Sequence, residues 1–96
     1  MTAYLVVDTA LDNPEMYEEY KVRAKPLAES FGGEYLARGG NTTVKETDLW
    51  SPTRMVLVKF PDADAANRFY DSPEYQAILP ISKQSARRTA FVLEGV

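Results

Sequence analysis

Residues 32–40 read Gly32-Gly33-Glu34-Tyr35-Leu36-Ala37-Arg38-Gly39-Gly40, and they hold four of the five glycines in a 96-residue chain. The five residues between the glycine pairs alternate in polarity, as a short strand does. An amphipathic helix precedes them, so Gly32-Gly33 reads as its stop, with one glycine in the left-handed conformation. Gly39-Gly40 follows a strand and cannot cap a helix. It marks a bend, a bulge or a close backbone approach beside Arg38. This stretch therefore closes a strand–helix–strand unit, and the rest of the chain repeats that order.

Upstream, Ala3 to Thr9 is β-branched or aromatic and apolar on both faces, which predicts a strand. Asn13 and Pro14 suit the cap and first position of a helix. Met16, Tyr20, Ala24, Leu27 and Phe31 form its apolar stripe, and Pro26 is expected to kink it. Downstream, 41–53 is a polar connection with room for a short strand near Thr43 to Lys45. Arg54 to Phe60 reads as the third strand. Asp62 caps a second helix whose inner face carries Ala65, Ala66, Phe69 and Tyr70. Ser72 and Pro73 restart the helix, and Pro80 is expected to begin a third short piece running to about Ala86. Thr89 to Glu94 is the last strand.

This order predicts an α+β fold over 1–96: a ferredoxin-like βαββαβ sandwich, with a four-stranded antiparallel sheet and its helices on one face. The first, third and last strands are apolar on both faces, yet the helices cover only one. The other face would be an apolar patch larger than a monomer normally exposes. A second copy packed sheet to sheet removes the problem, so a homodimer is expected.

Composition excludes several chemistries. The chain has no cysteine and no histidine. No thiolate, disulfide or cysteine–metal site can form, and the usual neutral base, transition-metal ligand and haem ligand are missing. No metal or other cofactor is expected, and acid–base work would fall to Asp, Glu, Tyr or Lys. The net charge of −3 argues against nucleic acid. The longest apolar run, Tyr4 to Val7, is too short for a membrane span. No signal peptide is visible, and a cytoplasmic location is the default.

The chain resembles domain-of-unknown-function family 1330, within the dimeric α+β barrel superfamily. The resemblance rests on Asp12-Asn13-Pro14-Glu15-Met16-Tyr17, Gly33 to Gly40, Trp50-Ser51-Pro52-Thr53-Arg54, Phe60-Pro61-Asp62, Tyr70 to Gln76 and Glu94-Gly95. Glu46 is followed by Thr47-Asp48-Leu49, where similar sequences often have Glu-Gly before the tryptophan. The resemblance implies the ferredoxin-like fold and the dimer, and no established activity. Related barrel families include cofactor-free monooxygenases, small-ring isomerases and haem-degrading enzymes.

Candidate ligand-binding residues cluster around the opening stretch. Arg38, beside the bare backbone of Gly39 and Gly40, suits a two-pronged grip on a carboxylate or enolate. Arg54 opens the strand expected to pair with it. Two close cations need an anion, and a carboxylate of the protein is the expected one. Tyr35, Trp50, Phe69, Tyr70 and Tyr75 are the aromatics able to line a pocket between sheet and helices. Against this stand plainer roles: Phe69 in the core, Tyr70 and Tyr75 anchoring the helix break, and Trp50 in a lid or a dimer contact. Three readings stay open. They are a dimer that binds a small anionic or aromatic molecule, a cofactor-independent enzyme using Arg38 with a tyrosine or Asp8, and a structural dimerisation module.

Overall fold

A computed structural model describes all residues, 1–96. The chain runs β1 (Ala3–Leu11), α1 (Pro14–Ser30), β2 (Glu34–Arg38), β3 (Met55–Phe60), α2 (Ala63–Asp71), α3 (Pro73–Ser85) and β4 (Ala86–Glu94). The sheet order is β2-β3-β1-β4, with every neighbouring pair antiparallel. This is the ferredoxin-like α+β arrangement, as expected from the sequence.

Local chemistry sets most boundaries. The Asn13 side chain accepts a hydrogen bond from the Met16 amide at 3.1 Å, and Asp62 accepts one from Ala65 at 2.8 Å. Ser72 serves two helices at once: its hydroxyl donates to the Phe69 carbonyl (2.7 Å) and accepts from the Tyr75 amide (3.2 Å). Gly32 takes φ +88°. The Gly32 and Gly33 amides reach back to the carbonyls of Glu29 and Ala28, a Schellman stop for α1.

Several expectations need correction. The α1 face that is buried carries Tyr17, Tyr20, Ala24 and Ala28, with Leu27 and Phe31 packed at its margin; Met16 is only partly covered. α3 runs through Pro80 as one helix, so no separate piece starts there; α1 is continuous through Pro26, as a kinked helix also would be. Pro26 and Pro80 are exposed, as are Val22 and Gln76, whose carbonyls they leave without an amide partner. Both carbonyls lie on the solvent side of their helices, where water can take the place of the missing amide, and the buried faces hold the helices together. No strand forms at Thr43 to Lys45. β4 starts at Ala86, three residues earlier than expected, directly after α3, and pairs with a β1 that extends to Leu11.

Toward the helices the sheet buries Ala3, Leu5, Val7, Thr9, Val58 and Phe60. The opposite face carries Tyr4, Val6, Met55 and Leu57, together with Phe91 and Leu93, which remain 41% and 55% exposed.

Candidate functional site

Sheet register places three arginines on the helix side. Thr9 pairs with Arg88 on β4, and its amide donates to the Arg54 carbonyl at 3.0 Å. One row of the sheet therefore reads Arg54, Thr9, Arg88. The adjoining row reads Arg38, Val56, Val7, Ala90. Strict alternation would put Tyr35 and Arg38 on opposite faces. Instead a bulge at Leu36 shifts the register, so Tyr35 faces Val58 and Arg38 faces Val56, both on the helix side. The Arg38 guanidinium lies 5.2 Å from the centre of the Tyr35 ring.

These residues line a cleft between the sheet and the helices. Its volume is about 530 Å³ with the open mouth included, and about 40 Å³ of it admits the centre of a water molecule. The interior is a narrow slot with room for about three waters. Its floor is Leu5, Val7, Val56 and Val58, and its aromatic wall includes Tyr35, Phe69 and Tyr70.

Arg88 stands at the β4 end of the cleft. It donates to the hydroxyls of Tyr20 and Tyr75, each at 2.9 Å, and reaches Tyr17 at 3.5 Å. The Tyr20 and Tyr75 hydroxyls lie 2.7 Å apart. Burial pushes the Tyr20 phenol well above its ordinary range, with Tyr75 adding to the effect and Arg88 opposing it. Burial works against the Arg88 charge, but the oxygens of Tyr20 and Tyr75 outweigh it, and the guanidinium is held above its ordinary value. The cluster is one guanidinium among three phenols. It has too few acceptors. Tyr20 and Tyr75 can place one hydroxyl proton between them; the other has no acceptor among its neighbours.

Charge is equally one-sided. The cleft is lined by Lys21, Arg38, Arg54 and Arg88 and by no Asp or Glu. Lys21 pairs with Glu18 at 2.9 Å, which draws the Glu18 carboxyl below its ordinary value, with a smaller pull from Arg38 and Arg54. No carboxylate lies within 4.0 Å of any of the three arginines. The protein carboxylate expected for Arg38 and Arg54 is not in contact with either; Glu18, bound to Lys21, feels both only at longer range.

Of the residues singled out from the sequence, Tyr35, Arg38, Arg54, Tyr70 and Tyr75 are brought together in this cleft. Gly39 sits beside it: with φ +71°, it lies so close to Arg54 that a Cβ there would meet Nε at 2.7 Å. The approach to Gly39 thus comes from the protein's own arginine. Gly40 faces open space. Trp50 lies elsewhere, its indole donating to Asp8 at 2.9 Å. Asp8 also accepts from the Thr53 and Arg54 amides at 2.9 and 3.1 Å. It projects from the sheet face opposite Val7 and Thr9, so it anchors the long connection and is not placed to move a proton in the cleft.

Sequence reasoning missed Arg88, Tyr17 and Tyr20 as site residues. A signal existed: Arg88 falls in phase with Ala86, Ala90 and Val92 once the strand is started at Ala86. Tyr17 and Tyr20, three apart on α1, were legible only as one tyrosine of an apolar stripe.

The fold and this cleft define a ferredoxin-like α+β protein with a basic, tyrosine-lined pocket. The chain belongs to the family described as Domain of unknown function (DUF1330), which it matches over residues 2–96. No curated protein matches the chain. Among solved structures it is similar to a protein of unknown function from Rhodopseudomonas palustris (15% identity, 99% of this chain and 82% of the other covered, TM-score 0.75). It is also similar to a dimeric ferredoxin-like protein of unknown function from Jannaschia sp. CCS1 (20%, 99% and 100%, 0.72). A third is SnoaB, a cofactor-independent oxygenase from Streptomyces nogalater (13%, 99% and 93%, 0.66).

Proposed function

We propose that this protein binds a small organic anion with a flat or unsaturated body in the cleft between sheet and helices. The observation that carries the reading is the imbalance of charge and hydrogen bonding: three arginines without a carboxylate partner, in a chain whose net charge is negative. Arg54 and Arg88 are half-buried and Arg38 is exposed at the mouth, and a bound anion would give them the charge partner that the chain does not place in contact with them. Arg88 with Tyr20 and Tyr75 offers donors to a carboxylate or enolate oxygen, and Tyr35 and Tyr70 offer ring surfaces to its body. The test is calorimetric titration with benzoate and other aromatic carboxylates, comparing wild type with Arg88→Met. Saturable binding lost in the variant supports the reading; no binding to the wild type rejects it.

A cofactor-independent enzyme is the second reading. It is favoured by the pairing of Arg88 with two phenols, which suits stabilisation of an enolate. The raised Tyr20 phenol is a neutral donor and a poor base, and the cleft has no carboxylate. A reaction here would have to take its base from the substrate. Turnover of an enolisable ligand, lost in Tyr20→Phe, would establish it.

The working unit proposed is a homodimer formed through the outer sheet face. Val6, Leu57 and Phe91 share one row there, with Tyr4 and Leu93 in the next. A single domain spans the chain in this proposal, and a cytoplasmic setting suits a sequence without cysteine.

A further inference from the structure

The cations of the proposed anion site, on which this inference rests, fall into two separated groups. Arg88 stands on β4, held by tyrosines from α1 and α3. Arg38 and Arg54 stand on the far side of β1, one stacked over Tyr35 and the other laid across Gly39. Arg54 and Arg88 flank Thr9 in one row of the sheet, so their backbones are two strand spacings apart, about 10 Å. The floor between them is apolar, with Val7 and Val56 in the adjoining row. A single carboxylate on Arg88 would leave Arg38 and Arg54 without a partner.

We propose that the ligand is a dianion: two acidic groups at opposite ends of a flat apolar body, one on Arg88 and its tyrosines, the other on Arg38 and Arg54. Size agrees with this division. The enclosed part of the cleft takes a group no larger than a carboxylate, so the body of the ligand would lie in the open mouth. The bulge absorbs Leu36, the residue that would otherwise turn Arg38 away from the face of Arg54 and Arg88. Gly39 lets the Arg54 side chain lie flat over the strand end.

The experiment is calorimetric titration of the wild-type protein with matched probes: benzoate, terephthalate, isophthalate and the monomethyl ester of terephthalate, with hexanoate and adipate as an aliphatic pair. The expected result is that a dicarboxylate binds about tenfold or more tightly than the monoester of the same size, the order of one additional charge-assisted contact. In the double variant Arg38→Gln, Arg54→Gln the ratio of dicarboxylate to monoester affinity collapses toward one. Arg88→Met removes binding of both. Equal affinity for monoester and dicarboxylate, or an unchanged ratio in the double variant, overturns the dianion while leaving the anion site standing. Failure of every probe to bind the wild type overturns both.

Discussion

Tyr35 and Arg38 are three residues apart on one strand, yet they face the same side of the sheet, with the guanidinium 5.2 Å from the ring centre. The extra residue at Leu36 makes this possible. Tyr35 already pairs with Val58, and Ala37 with Leu57, so deleting Leu36 would remove the bulge without changing any partner. The deletion is expected to cost about 1 kcal/mol or less and to leave anion binding in place. Urea unfolding with calorimetry checks it; lost binding in a folded deletion variant would show that the bulge shapes the cleft in another way.

Arg88→Met separates a binding arginine from a structural one. The variant loses three hydrogen bonds to phenols, the one to Tyr17 long, but also removes a charge that no contacting carboxylate offsets. Tyr20 and Tyr75 keep the bond between them. Stability is expected to change by about 1 kcal/mol or less, because the lost phenol contacts and the removal of a half-buried charge without a carboxylate partner oppose each other. A loss above about 3 kcal/mol in denaturant titration would assign Arg88 to the framework instead.

The Tyr20 phenol gives the protein an alkaline limit. Unfolded, it ionises near its ordinary value of 10.0; folded, burial keeps the proton to higher pH. Above pH 10 the folded state holds a proton that the unfolded state has released, so stability falls as pH rises. Below pH 10 this contribution is fully present. The slope from this one group approaches about 1.4 kcal/mol per pH unit. Tyr20→Phe is expected to flatten that decline, read from urea midpoints between pH 9 and 12. Tyr35, also raised by burial, acts in the same direction.

Gly39→Ala tests the strand end. The residue sits at φ +71°, and a Cβ would lie 2.7 Å from the Arg54 Nε. The left-handed backbone alone costs an alanine about 1–2 kcal/mol. Arg54 must also move, so weaker binding of a dicarboxylate is expected beside a lowered melting temperature. Gly40→Ala, with nothing near its Cβ position and no positive φ, is expected to show neither effect.

Leu57→Glu addresses assembly. Leu57 lies between Val6 and Ala37 on the outer face, in the row that also holds Phe91. A carboxylate there meets its own symmetry mate or apolar surface across a two-fold contact. Sedimentation is expected to show a dimer for the wild type and a monomer, or a much weaker dimer, for the variant. A monomeric wild type at micromolar concentration would remove the homodimer from the proposal.

The sequence by itself determined whatever is settled within a few residues. Asn13, Asp62 and Ser72 cap their helices because their side chains reach amides three positions on. Gly32 stops α1 because it takes a backbone conformation that other residues avoid. The apolar strands and the order of elements point to a four-stranded sheet with its helices on one face, the arrangement observed. Tertiary structure decided the rest. Pro80 continues α3 because Tyr75, Ile78, Leu79 and Ser82 are buried on one face while its own side is wet. No turn residue marks the junction of Ser85 and Ala86; pairing of Leu11 with Ala86 sets it, and so sets which way Arg88 points. The bulge at Leu36 has no local signature and arises from matching β2 to β3. The cleft's one-sided charge is likewise a long-range property. Its arginines come from positions 38, 54 and 88, and only the sheet register brings them to one face with no acid among them.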